Sequence, residues 1–71
     1  MPALSAIRTK RDVKTYIDTM TTSVDSVPRP VLLRWLEDEM TKVMDGGWSI
    51  NTRRGANAVR QAVRKELNRA R

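Results

Sequence analysis

The sequence contains no cysteine and no histidine. Without cysteine there are no disulfide staples and no thiolate metal sites. Without histidine the usual general base and the commonest metal ligand are missing. The familiar serine and cysteine triads are therefore excluded. Carboxylates alone can catalyse, but a chain of 71 residues has little room for the walled pocket such chemistry needs. We expect no enzyme, no cofactor and no metal. Long apolar runs are missing too, since none approaches the ~20 residues that span a bilayer. The opening stretch MPALSAIRTKRD carries its charge after a short, weakly apolar start, the reverse of a secretory signal. With the lack of cysteine, this reads as a cytoplasmic protein. Aromatics are limited to Tyr16, Trp35 and Trp48. With two of the three expected on apolar faces or beside the core, a stacking platform for single strands is not expected.

What is present is charge, unevenly placed. The formal net charge is +6. Residues 25–47 hold five carboxylates against Arg29, Arg34 and Lys42, whereas residues 48–71 hold seven cations against Glu66 alone. Six of those seven are arginine, the side chain that forks onto phosphates and guanine edges. Length allows one domain. A chain this short buries only about 60% of its unfolded surface, so each large apolar residue matters.

The pattern predicts an all-α fold, a small three-helix bundle with a frayed arm over residues 1–8 and helices over about 9–22, 28–45 and 51–69. In the arm, Leu4 and Ile7 can pack on the domain, or its basic end can reach a minor groove as homeodomain arms do. Thr9 to Asp12 approximates a capping box. Val13, Tyr16, Ile17, Met20 and Val24 then recur at helical spacing, and the Thr-rich run at 19–22 ends the helix. Pro28 and Pro30 fit only a first helical turn, with Ser26 as the cap of a helix starting at Val27 or Pro28. The second helix builds the core through Leu32, Leu33, Leu36, Met40, Val43 and Met44. Burying one leucine is worth roughly 1.5–3 kcal/mol, enough for Leu36→Ala to endanger a marginal domain. Trp35 falls beside that face and is expected first as a seal on the core. Gly46-Gly47 stops the helix, one glycine taking the left-handed cap conformation. Trp48 and Ile50 then fold back onto the core, and Ser49 or Asn51 caps the third helix. Gly55 weakens that helix's first turn.

The third helix has a thin apolar seat (Ala56, Val59, Val63, Leu67, Ala70) and a wide polar face, with fraying expected past Leu67. Arg53, Arg60, Arg64 and Arg71 share a flank; Asn57, Gln61 and Asn68 fill the side facing away. Such a helix suits a nucleic-acid groove. The expectation is a small regulator or accessory factor that places this helix in the major groove of duplex DNA. Arg53, Asn57, Arg60, Gln61 and Arg64 would read bases. Arg54, Lys65, Arg69, Lys10 and Arg11 would hold phosphates, with Asn68 on the same face. RNA is the less favoured target. The second and third helices would form a helix-turn-helix-like pair, although a connection from Gly46 to Asn51 is longer than that motif's usual turn. So small an interface calls for a homodimer or a second partner. The alternative is a protein-binding module, an inhibitor or accessory subunit anchored by Trp35 or Trp48. Membrane-surface binding is disfavoured, because the third helix has few large apolar residues to insert.

Overall fold

The computed structural model describes residues 3–22 and 26–69. Val24, Ala70 and Arg71, and the first two residues of the arm, lie outside the described residues. The fold is a small all-α three-helix bundle: a 3-10 turn (Leu4–Ala6), α1 (Lys10–Thr22), α2 (Arg29–Asp45) and α3 (Ile50–Arg69). Among the described residues no helix is long and apolar enough to cross a membrane.

Local chemistry sets the helix ends. The Asp12 amide donates to Thr9 Oγ1 at 3.2 Å, and Asp12 Oδ2 accepts from the amides of Thr9 and Arg8 at 3.2 and 3.1 Å. This reciprocal box satisfies amides that the first turn would otherwise leave orphaned. At the other end of α1 the threonine hydroxyls turn back on their own helix. Thr19 and Thr21 donate to the carbonyls of Thr15 and Ile17 at 2.8 Å, and Thr22 donates to that of Asp18. Ser49, rather than Asn51, caps α3, accepting from the Thr52 amide at 3.3 Å. With Ile50 already helical, the α2–α3 connection is only residues 46–49, shorter than the sequence implied.

Two helix ends differ from expectation. The first turn of α2 is capped by no side chain: Pro28, not Ser26, stands at the N-cap, and its carbonyl accepts from Val31 and Leu32. The prolines remove the need for a cap there, since two of the early positions have no N–H to satisfy. At the C-terminal end Gly46 is extended, with φ −84° and ψ 174°, so it is no left-handed cap. Its amide bonds to the Val43 carbonyl at 3.3 Å. What requires glycine is space, for a Cβ there would stand 3.0 Å from Trp48 Cδ1 and 3.3 Å from the Lys42 carbonyl.

The core joins Tyr16 and Ile17 of α1, Leu33, Leu36 and Met40 of α2, and Ala56, Val59 and Val63 of α3. Val59 and Val63 are 0% exposed. The Tyr16 phenol is pushed upward in pKa by burial and, secondarily, by the Glu39 charge. The arm is not frayed over its described part. Leu4 and Ile7 are half-buried against the core cluster, and the 3-10 turn lies on α3. Gly55 makes this possible: a Cβ there would collide with the Leu4 carbonyl. The glycine expected to weaken α3 is instead the seat of the N-terminal turn.

Gly55→Ala therefore separates two effects of opposite sign. Propensity alone would stabilise an interior helix position by about 1 kcal/mol. We expect instead a loss of about 1–3 kcal/mol from overpacking. Hydrogen exchange checks it: the Ala6 and Ile7 amides should lose protection while those around Leu36 keep theirs. A stabilised variant with a protected turn would contradict the seating.

Candidate nucleic-acid interface

Two grooves flank α3, and they differ in charge. The groove on the α2 side, of about 700 Å³, is lined by Arg34 and Arg64 together with Glu37 and Asp38. Its charges compensate each other. Arg64 Nε donates to Glu37 Oε2 at 3.0 Å. The groove on the α1 side, of about 720 Å³, is lined by Lys10 of α1 and by Arg64, Lys65 and Arg69 of α3, with the amides of Gln61 and Asn68. Val13, Ala58 and Ala62 complete its lining, which includes no carboxylate. The small alanines keep this crevice open while α1 and α3 pack below it.

The adjoining hollow explains where the cationic stretch stops. Lys14, Lys65 and Arg69 line it, but so do Asp18, Arg29 and Glu66. Arg29 grips Glu66 with two bonds, Nε to Oε2 at 2.6 Å and Nη2 to Oε1 at 3.0 Å, and its Nη1 donates to Thr21 Oγ1 at 3.2 Å. One guanidinium thus ties the start of α2 to α1 and α3. The Arg29 bonds hold the Glu66 carboxyl below its ordinary range, with burial opposing and the Arg29 and Arg69 charges assisting. The same bonds raise Arg29.

The residues expected to read bases are not brought together. Arg64 is engaged by Glu37. Arg60 is half-buried, its Nη1 lying 3.3 Å from Met44 Sδ, and its Nε is buried with no partner among the described residues. Asn57 is also half-buried. Arg53 remains exposed at the start of α3, in a small hollow with Met44, Ile50, Arg54 and Asn57. Of the five, only Gln61 is an exposed, unengaged member of the cationic groove. The physical reason is reach: long side chains beside a thin apolar stripe bend onto the neighbouring helix, where α2 offers a thioether and a carboxylate.

The residues expected to hold phosphates fare differently. Lys10, Lys65 and Arg69 share the α1-side groove with Asn68. Arg54 is exposed nearer the start of α3, while Arg11 is exposed on α1 outside the groove. Among the described residues none of these cations has a carboxylate within salt-bridge distance. Lys14, one turn after Lys10 on the same face of α1, lines the adjoining mixed-charge hollow and not the groove itself. Trp35 and Trp48 are 55% and 59% exposed, so neither seals the core. Ile50, at 61%, does not fold back either.

Because the folded value of Glu66 is depressed, its contribution to stability is complete above its ordinary value near 4.5. That contribution fades as pH falls through the lower folded value. Denaturant titrations between about pH 5 and pH 3 should accordingly show a shallower loss of stability in Glu66→Gln than in the parent. Equal slopes would mean that the Arg29 clamp adds nothing to folding.

Comparison with protein-family models, with curated proteins and with solved structures finds no match to this chain.

Proposed function

We propose that this is a small nucleic-acid-binding protein that holds duplex DNA along the α1–α3 groove, with α3 as the presenting helix. The observation that carries the reading is the lining of that groove: Lys10, Lys65 and Arg69 with two amides and no carboxylate, and Arg64, paired to Glu37, at its edge. A cleft lined with charge of one sign concentrates a polyanion. Lysine and arginine meet phosphates, and an amide side chain can accept from and donate to a base edge. Contact centres on Lys10, Lys65 and Arg69, with Gln61 and Asn68 between them and Lys14 and Arg54 at the margins. Arg60 and Arg64 stand at the edge, because their guanidinium groups are already occupied by α2.

The α1–α3 face is small for a specific complex, so binding as a dimer, or beside a second factor on the same DNA, is part of the proposal. Regulation of transcription is one use of such a factor. A second reading rests on Trp35, exposed on the outer side of α2 near Asp38 and Lys42. A protein partner could take that indole as an anchor. It is favoured if Trp35→Ala keeps the fold and DNA affinity but loses capture of another protein.

Titration of random duplex DNA by fluorescence anisotropy at several salt concentrations tests the main reading. With about five phosphates neutralised, log K should fall with log salt at a slope of roughly −4.5. Lys65→Ala/Arg69→Ala should flatten that slope by roughly 2 and weaken binding more than Arg60→Ala/Arg64→Ala does. The reverse ranking, or a parent chain that does not bind, overturns it.

A further inference from the structure

The corner between α2 and α3 has features that a phosphate-binding groove does not require. Trp48 projects there with more than half its surface exposed, beside the exposed Ile50. The indole is nevertheless seated. Its Cδ1 and Nε1 lie 3.0 and 3.2 Å from where a Gly46 Cβ would stand, so the missing side chain of Gly46 makes the place for the ring edge. Arg53 and Arg54 follow within the first turns of α3, both exposed. Neither has a carboxylate within salt-bridge distance among the described residues. With Met44, Ile50 and Asn57 they line a hollow of about 300 Å³.

A large aromatic face held by its edge, followed five and six residues later in the chain by two arginines that have no carboxylate within salt-bridge distance among the described residues, is poorly suited to a second copy of this chain. An isologous contact would bring four arginines together. The charge calls for a polyanion, and the flat indole calls for a planar apolar group on it. An unpaired nucleobase attached to its phosphates supplies both.

We infer that Trp48 is a stacking site for an unpaired nucleobase, with Arg53 and Arg54 holding the flanking phosphates. The inference rests on the nucleic-acid reading above and extends it from paired DNA to strands with exposed bases. Tryptophan and arginine then act on one ligand, the ring supplying stacking and the guanidinium groups supplying charge. Bases locked in a duplex present no free face to the indole, so only open strands or frayed ends engage this corner.

The test uses the full chain in a Trp35→Phe background, leaving Trp48 as the only indole. Oligo-dT and a blunt duplex are compared at one salt concentration. Oligo-dT should quench the Trp48 emission, whereas the duplex should leave it unchanged. Trp48→Ala, with its helicity checked by circular dichroism, should weaken oligo-dT binding by about 5- to 150-fold, the range for loss of one stacked base. Duplex binding should stay as it was, and Trp48→Phe should recover most of the single-strand affinity. Equal losses on both ligands, or no loss on oligo-dT, overturn stacking. Quenching by a poly-glutamate peptide and not by oligo-dT also overturns it, in favour of an acidic protein partner. The groove reading fails separately: oligo-dT binding that depends on Trp48 but ignores Lys65→Ala/Arg69→Ala would remove the groove and leave the corner.

Discussion

The close approach of α3 to the rest of the chain is the constraint on which this bundle depends. Its buried side is made of Gly55, Ala56, Val59 and Val63, none of which holds a neighbour at a distance. The Leu4 carbonyl sits directly over Gly55, Tyr16 and Ile17 approach from α1, and Leu33, Leu36 and Met40 from α2. In a chain this short, burial has to come from tight packing rather than from the number of large residues. A helix seated so deeply is covered along its sides as well as beneath. The surroundings of α3 are therefore decided by its neighbours more than by its own sequence.

That covering sorts the cations of α3 into two sets. Arg60 and Arg64 lie on the side toward α2, where Met44 and Glu37 receive them. Lys65 and Arg69 lie toward α1, which contributes a further cation, Lys10, to the lining of the groove. The formal charge is thus a poor guide to the field. The acidic stretch of α2 neutralises one flank of α3, while the groove on the other flank has no carboxylate in its lining and meets Asp18 and Glu66 only in the adjoining hollow. Electrostatic asymmetry about a single helix is produced here by which neighbour carries the carboxylates.

Those parts of the fold governed by neighbours in sequence were legible from the chain. The Thr9–Asp12 box, Ser49 as one of two cap candidates, the proline-marked start of α2 and its leucine face all depend on spacings of a few residues. The failures involve residues that meet only in three dimensions. Gly55 reads locally as a weak helix position, and nothing near it in sequence announces Leu4. Trp48 reads as core because it is large and apolar, but Gly46 supplies room for only its edge. The apolar stripe of α3, drawn through Ala56, Val63 and Leu67, ignored Gly55 and Ala62, which face the N-terminal turn and α1. Helical periodicity gives the order of residues around α3. It does not say which neighbour is acidic, so the engagement of Arg64 by Glu37 and of Arg60 by Met44 could not be read from α3 alone.

Leaving the α1 side uncompensated has an energetic consequence that bears on function. Like charges gathered across a groove repel, and the repulsion acts in the folded state more than in the expanded chain. A marginal domain gains from relieving it, and counterions do so only partly. A bound polyanion would relieve it more completely, because its charges are linked in one chain and do not diffuse away singly. Binding and folding are then coupled in sign: whatever fills the groove also stabilises the bundle, by mass action on the native state. The Arg29–Glu66 clamp fits this arrangement, for it fastens all three helices at the point where the cationic lining gives way to mixed charge. The clamp thus joins α1, α2 and α3 at the point where Lys65 and Arg69 meet Asp18 and Glu66.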